Sequence, residues 1–191
     1  VIGTDFALGR NREGNPKTLS TLSTNIGFQI KMVDTLEINS SKISSTAIRK
    51  LLASGSVQKI PQLLGRKFSL RGNVVSDSKR GHSLGFPTAN LSIKDKLLIP
   101  KLGIYATETK IDSKIYPSCT SIGLRPTFYP KNNNPLMETH IINYNNNIYD
   151  KIIEVFFIDR IRDEKKFTSA QKLIEQMNND VDKAYRILKS Q

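Results

Sequence analysis

The chain has 191 residues, 38% of them hydrophobic, one cysteine and a formal net charge of +12. That apolar share supports a folded core, no apolar run reaches the roughly 18 residues that span a bilayer, and the lone Cys119 cannot close an internal disulfide, which points to a reducing cytoplasm. The charge suits a polyanionic partner, yet the lysines are scattered, and the asparagine runs at 132–134 and 145–147 fit a plain bias toward Lys, Asn and Ile.

The opening "VIGTDFALG" reads as a strand running into a glycine loop. A domain seldom starts that way, so residues 1–60 are expected to be the tail of a larger domain. Residues 16–28 predict a helix, with Pro16 in the first turn, Leu19, Leu22 and Ile26 on one face and Gly27 at the end. A short strand follows at 28–34, alternating Phe28, Ile30 and Met32. Ser44 or Ser45 can cap a helix whose stripe is Ile48, Leu51 and Leu52 and whose end is Gly55. A second short helix over 56–64 leads to Gly65.

From there the period becomes twofold, and residues 61–191 are expected to form one domain. "KFSLRGNVVS" alternates Phe68, Leu70, Gly72 and Val74. "GIYATETKID" and "KIYPSCTSIGL" flank an Asp112-Ser113 turn and predict a hairpin. "METHIINY" and "DKIIEVFFIDRIR" add strands, the latter with Ile153, Val155 and Phe157 on one face. About six short strands with Gly, Pro, Asn and Asp in the turns predict a mainly β fold, a closed or nearly closed six-stranded antiparallel barrel. A C-terminal helix over 168–189 has Thr168 and Gln171 as a capping box and an apolar face running from Leu173 and Met177 to Ala184 and Leu188.

Four stretches carry candidate chemistry. In "GHSLGFPTANLSI", Thr88 and Asn90 share a strand face. Two neutral oxygens suit a hard cation such as Mg²⁺ that also takes phosphate oxygens. The loop before them holds Gly81 and Gly85, whose neighbourhood can cradle phosphates through backbone N–H groups, with Lys79 and Arg80 adding charge. An ordinary strand end beside a surface turn explains the same residues. Glu138 in "PLMETHI" can accept a proton from a bound hydroxyl, or sit solvated on a barrel exterior; His140 beside it reads as structural. "FIDRIRDEKKF" is either a charged loop or a flap with Arg162 as a donor. "ISSTAIR" gathers Ser44, Ser45, Thr46 and Arg49 at a helix N-terminus, an anion site.

Taken together, "GTDFALGRNREG", "ISSTAIRKLLASG", "RGHSLGFPTANL", "SIGLRPTF", "METHIINY" and "IYDKIIEVFFIDRIRDEKKF" resemble, in order, the bifunctional bacterial riboflavin kinase/FMN adenylyltransferase family, also called FAD synthetase. The resemblance covers the whole chain. It implies a riboflavin kinase-like barrel preceded by an α/β, Rossmann-like remnant of the nucleotidyltransferase domain. It implies transfer of the ATP γ-phosphoryl group to the 5′-hydroxyl of riboflavin, giving FMN. By the same resemblance Thr88 and Asn90 hold Mg²⁺ with ATP, and Glu138 is the catalytic base. The segment Lys79, Arg80, Gly81, Gly85, Phe86, Pro87 covers the nucleotide. Arg162, Glu164 and Phe167 contact the flavin, and Asp5, Ser44, Ser45, Thr46 and Arg49 belong to the adenylyltransferase site.

Asp77, His82 and Asn143 depart from the family pattern. The N-terminal HxGH-type motif of the adenylyltransferase is absent, so the chain alone is expected not to make FAD, the missing module belonging in cis. The implied partners are small molecules, not nucleic acid or membrane. A basic, OB-like nucleic-acid-binding barrel is the alternative. It asks for aromatics interleaved with basic residues on an exposed face, whereas Phe68 and Phe157 take core-like positions. A flavoprotein that only binds is a further alternative, separable by turnover.

Overall fold

The computed structural model describes residues 1–38, 41–75, 86–93, 97–124 and 135–190. They form two compact units, Val1–Ala47 and Ile48–Gln191.

In the first unit β1 (Ile2–Gly3) pairs in parallel with β2 (Met32–Val33). Helix α1 (Pro16–Ile26) lies between them in sequence. Asn15 Oδ1 caps it, accepting from the Thr18 N–H at 3.1 Å, and Gly27 ends it in the left-handed region. The expected apolar face stays open: Leu22 and Ile26 are 40% and 70% exposed. The strand predicted over 28–34 shortens to Met32–Val33, because only those residues have a strand to pair with. A small hairpin of β3 (Glu37–Ile38) and β4 (Ser41–Lys42) was not legible in the sequence.

Helix α2 (Ser45–Ser54) is capped by Ser44, whose Oγ accepts from the Ala47 N–H at 3.1 Å. A 3₁₀ turn (Val57–Lys59) and α3 (Ile60–Leu64) follow. Gly55 and Gly65 close α2 and α3 at φ of 80° and 67°, as their positions predicted. Residues from 48 to 60, grouped above with the first domain, pack here with the barrel: Leu52, Val57 and Ile60 are fully buried in its core.

The barrel is closed and antiparallel. Its strands are β5 (Phe68–Val75), β6 (Thr88–Ser92), β7 (Gly103–Ile111), β8 (Lys114–Leu124), β9 (Pro135–Ile141) and β10 (Ile152–Arg162). Around the wall they run β5-β6-β9-β8-β7-β10, and β10 closes onto β5. Closure removes the exposed strand edges that would otherwise template aggregation. The twofold period sets the sides: Leu70, Val74, Leu91, Tyr105, Ile122, Met137, Val155 and Phe157 fill the interior. Burying each such large side chain is worth about 1.5–3 kcal/mol.

Part of the interior is polar. Thr107, Thr109, Ser118, Thr120 and Thr139 are fully buried. Their hydroxyls form one chain, Thr109–Ser118–Thr107–Thr120–Thr139, with links of 2.7–3.0 Å. Each satisfies the next, so the desolvation cost is met inside the network.

Helix α4 (Ala170–Lys189) covers the outside of β7 and β8, where Ala184 packs on Ala106 and Cys119. Its cap is not the predicted Thr168 but Ser169, whose Oγ accepts from the Lys172 N–H at 3.3 Å. Both residues carry a hydroxyl, and the helix starts one position later than the period suggested.

Candidate functional site

In β6, Ala89 and Leu91 point into the core, so Thr88 and Asn90 face outward. Register then fixes their neighbours. Asn90 lies opposite Glu138 of β9, Glu138 opposite Ser121 of β8, Ser121 opposite Ile104 of β7, and Ile104 opposite Arg162 of β10. One row of outward side chains thus crosses five strands. At a strand spacing of about 4.8 Å its ends are roughly 19 Å apart along the curved wall. A second row runs Thr88, His140, Cys119, Ala106 and Asp159.

These rows floor a cleft of about 270 Å³ roofed by α4 and by the segment 162–167. It brings together Phe86, Thr88, Glu138, Arg162, Glu164 and Phe167, all singled out from the sequence. A second cavity of about 370 Å³ lies on the other side of Thr88. Pro87, Thr88 and the inward-facing Ala89, Thr139 and Ile141 line it, together with the turn from Tyr144 to Tyr149. Thr88 lines both.

Asn90 is 6% exposed, and its Oδ1 has no hydrogen-bond partner among the described residues. Buried acceptors are nearly always satisfied. An orphaned neutral oxygen beside the Thr88 hydroxyl, with a carboxylate on the neighbouring strand, fits a hard divalent cation that takes its remaining ligands from water and phosphate. No group of three or more His, Cys, Asp or Glu side chains with metal-binding geometry occurs among the described residues.

His140 also lines the cleft roofed by α4. Its Nδ1 lies 3.0 Å from the Pro87 carbonyl oxygen and its ring meets Phe86 edge-on at 5.5 Å. It thereby fixes the chain entering β6.

Arg162 is held firmly. Its Nε donates to both Asp180 carboxylate oxygens at 2.9 and 3.0 Å, Nη2 donates to Asp180 Oδ2 at 2.5 Å, and Nη1 donates to the Asp163 carbonyl at 2.8 Å. Gln176 also donates to Asp180. The guanidinium lies 6.0 Å from the Phe167 ring centroid. Asp163 receives Arg160 at 2.6 Å and Lys101 at 3.2 Å, and the Arg160 hydrogen bond holds its carboxyl below the usual range. Cys119, against the cleft floor, has its thiol pushed up to about 12, first by burial and then by the Asp180 charge.

Sequence reasoning gave no individual role to Asp180, Asp163, Arg160 or the Tyr144–Tyr149 turn. Pairing across the 162–180 interval depends on where α4 docks, which no local period reveals. Lys79, Arg80, Gly81 and Gly85, with Asp77 and His82, lie outside the described residues. Asn143 is an exposed turn residue at φ 58° after β9. Asp5 and Ser44, Ser45 and Thr46 belong to the first unit, Arg49 to the second, and all five are exposed or half-buried. Tyr105 and Phe157 are fully buried in the core, whereas Tyr149 and Tyr185 are exposed; it is the similarity to known proteins that leaves the nucleic-acid alternative unsupported.

Comparison with known proteins agrees with this geometry. The family model described as riboflavin kinase matches residues 64–188, and that described as FAD synthetase matches residues 1–47. A bifunctional riboflavin kinase/FMN adenylyltransferase from Buchnera aphidicola subsp. Schizaphis graminum is 36% identical over 184 residues, covering 95% of this chain and 59% of its own length. Its namesake from Bacillus subtilis is 35% identical over 188 residues, covering 97% of this chain and 59% of its own. A crystal structure named as a macrolide-efflux protein from Streptococcus pneumoniae superposes with a TM-score of 0.79 at 32% identity, over 94% of this chain and 58% of that one. The chain thus spans about three fifths of the relatives it matches. With the barrel, the Thr88–Asn90–Glu138 face and most of the residues matched by one family model, this chain belongs to the riboflavin kinase family.

Proposed function

We propose that the chain transfers the γ-phosphoryl group of ATP to the 5′-hydroxyl of riboflavin, giving FMN. One observation carries the reading: Thr88 lines two separate cavities, with Glu138 lining one of them. A two-substrate transfer needs donor and acceptor held on either side of a shared point.

The cavity beside the Tyr144–Tyr149 turn takes the nucleotide, and the cleft under α4 takes the flavin. Ile104, Met177 and Val181 offer apolar surface to the ring system, with Phe167 at the flap. Glu138 faces the ribityl end, where it orients the 5′-hydroxyl and accepts its proton as the new P–O bond forms and the bond from the γ-phosphorus to the departing ADP breaks. Because such transfer passes through a loose transition state, positioning outweighs base strength. Thr88 Oγ1 and Asn90 Oδ1 would hold Mg²⁺; when bound, the ion neutralises charge on the β- and γ-phosphates. The half-buried cleft, shielded by α4, strengthens each of these interactions over its value in water.

The first unit belongs, in this reading, to the adenylyltransferase module of a longer protein that also converts FMN to FAD. Ser44, Ser45, Thr46 and Arg49 would then serve that second site. The single buried cysteine suits a cytoplasmic setting.

The test incubates the chain with riboflavin, ATP and Mg²⁺ and separates flavins by chromatography. FMN formation dependent on all three supports the reading; riboflavin that is bound but never phosphorylated overturns it in favour of a binding-only flavoprotein.

A further inference from the structure

The segment leaving β10 is fastened residue by residue before it reaches the cleft. Arg162 is clamped to Asp180 of α4, and both side chains are largely buried, at 14% and 6% exposure. Asp163 is tied to Arg160 and Lys101. Glu164 rests on the bare Cα of Gly123 near the end of β8. A Cβ built there would overlap Glu164 Oε1 and come within 3.3 Å of its carboxyl carbon. Gly123 is not one of the glycines with positive φ. Its backbone therefore does not require glycine, and what a Cβ would displace is the Glu164 carboxylate.

We propose that residues 162–164 form a latch that sets the height of Lys165–Phe167 over the flavin end of the cleft, with Asp180 and Gly123 as positioning residues. Neither needs to touch the reacting atoms. Asp180 acts through Arg162, whose guanidinium in turn lies over Phe167. Gly123 acts by leaving room for the Glu164 carboxylate, which lines the same cleft. Ligand binding under a fastened roof avoids the ordering cost that a loose segment would incur on each encounter. The effect therefore falls on flavin affinity rather than on the chemical step, and it spares the nucleotide cavity beyond Thr88. The inference rests on the kinase reading above.

Gly123→Ala is the clean perturbation, because it displaces only the tip of a flexible side chain. Steady-state phosphorylation of riboflavin by the 191-residue chain should show KM for riboflavin raised roughly 10-fold, kcat within about 2-fold of wild type and KM for ATP unchanged. In a Glu164→Ala background, adding Gly123→Ala should change KM for riboflavin by less than about 2-fold, since the colliding group is gone. Asp180→Asn should raise the same KM, and Asp180→Glu should restore part of the loss. Riboflavin fluorescence quenching supplies a binding constant independent of turnover and should move with KM. Additive effects of Gly123→Ala and Glu164→Ala, an unchanged KM in Gly123→Ala, or a fall in kcat alone overturns the latch while leaving the kinase reading intact. A wild-type chain that never phosphorylates riboflavin overturns the kinase reading, and the latch with it.

Discussion

Asn90 offers a test in which stability and function must move in opposite directions. Its Oδ1 is buried without a partner among the described residues. A buried acceptor without a partner costs ~1–3 kcal/mol of desolvation. Asn90→Leu keeps the branched heavy-atom skeleton and removes the orphaned acceptor. The ligand-free variant should therefore be more stable than wild type. For a chain of this size each ~1 kcal/mol moves Tm by about 2–4 °C, so a rise of about 3 °C or more is expected.

Ligand should reverse the order. Mg²⁺–ATP at ~100 times its Kd stabilises a competent site by ~2.7 kcal/mol. The wild type should gain that increment and the variant only a small part of it. Thermal melts by circular dichroism, with and without the nucleotide complex, read both numbers, and riboflavin phosphorylation by the same samples should be nearly lost in the variant. Two results refute the reasoning: a ligand-free Asn90→Leu protein that melts below wild type, or equal nucleotide stabilisation in the two proteins. The first would mean that the oxygen is satisfied in solution; the second would mean that it is not a ligand.

Glu138→Gln should keep riboflavin and nucleotide binding while lowering kcat by roughly 10²-fold, the low end for a lost general base because the transition state is loose; an unchanged kcat would return Glu138 to a surface role. Cys119, with its thiol near 12, should react with a thiol reagent at pH 8 about 10³-fold more slowly than a free cysteine with its pKa near 8.5, and at the ordinary rate in denaturant. Asp163 has its carboxyl lowered by Arg160 and Lys101, so its contribution is fully present above the ordinary value of 3.8 and is lost as pH falls through the lowered one. The Tm difference between wild type and Asp163→Asn should accordingly be constant near neutrality and vanish in strong acid; a difference that grows on acidification would contradict the pairing. Supplied with FMN, ATP and Mg²⁺, the 191-residue chain should yield no FAD or pyrophosphate by chromatography, since its two histidines, His82 and His140, do not form the HxGH pair.

Local period carried most of the barrel. Leu70 and Val74, Tyr105 and Thr107, Ile153 and Val155 alternate inward as a pleated strand requires, and the same rule placed Thr88 beside Asn90 on the outer face. What local period does not encode is which strands meet. Glu138 lies opposite Asn90 because β6 pairs with β9, and a register between distant segments is fixed by the closed wall as a whole. The hydroxyl chain through Thr107 and Ser118 stayed hidden for a related reason. Threonine is a good strand former on either side of a sheet, and only mutual pairing makes it a core residue. The shortened β2 and the cap at Ser169 show the limit at element ends, where one more pairing partner or one more turn decides the boundary.

The outward face becomes a site because something covers it. A barrel packs its own interior, so the outer side of β6-β9-β8-β7-β10 would ordinarily be wet. Three small residues, Ala106, Cys119 and Ala184, let α4 approach the wall closely, and the Arg162–Asp180 pair holds the flap to the same helix. Cys119 is buried in that part of the floor, and the burial raises its thiol pKa. In a covered space of this kind fixed protein dipoles take the place of water, and electrostatic interactions gain strength. The row from Asn90 through Glu138 to Ser121 lies away from this packing, toward Thr88. A change that lifts α4, such as Ala184→Leu, should therefore wet the floor, bring the Cys119 thiol back toward its ordinary reactivity and cut turnover together. A Cys119 that becomes reactive while turnover stays normal would show that the dry floor is packing alone and plays no part in the transfer.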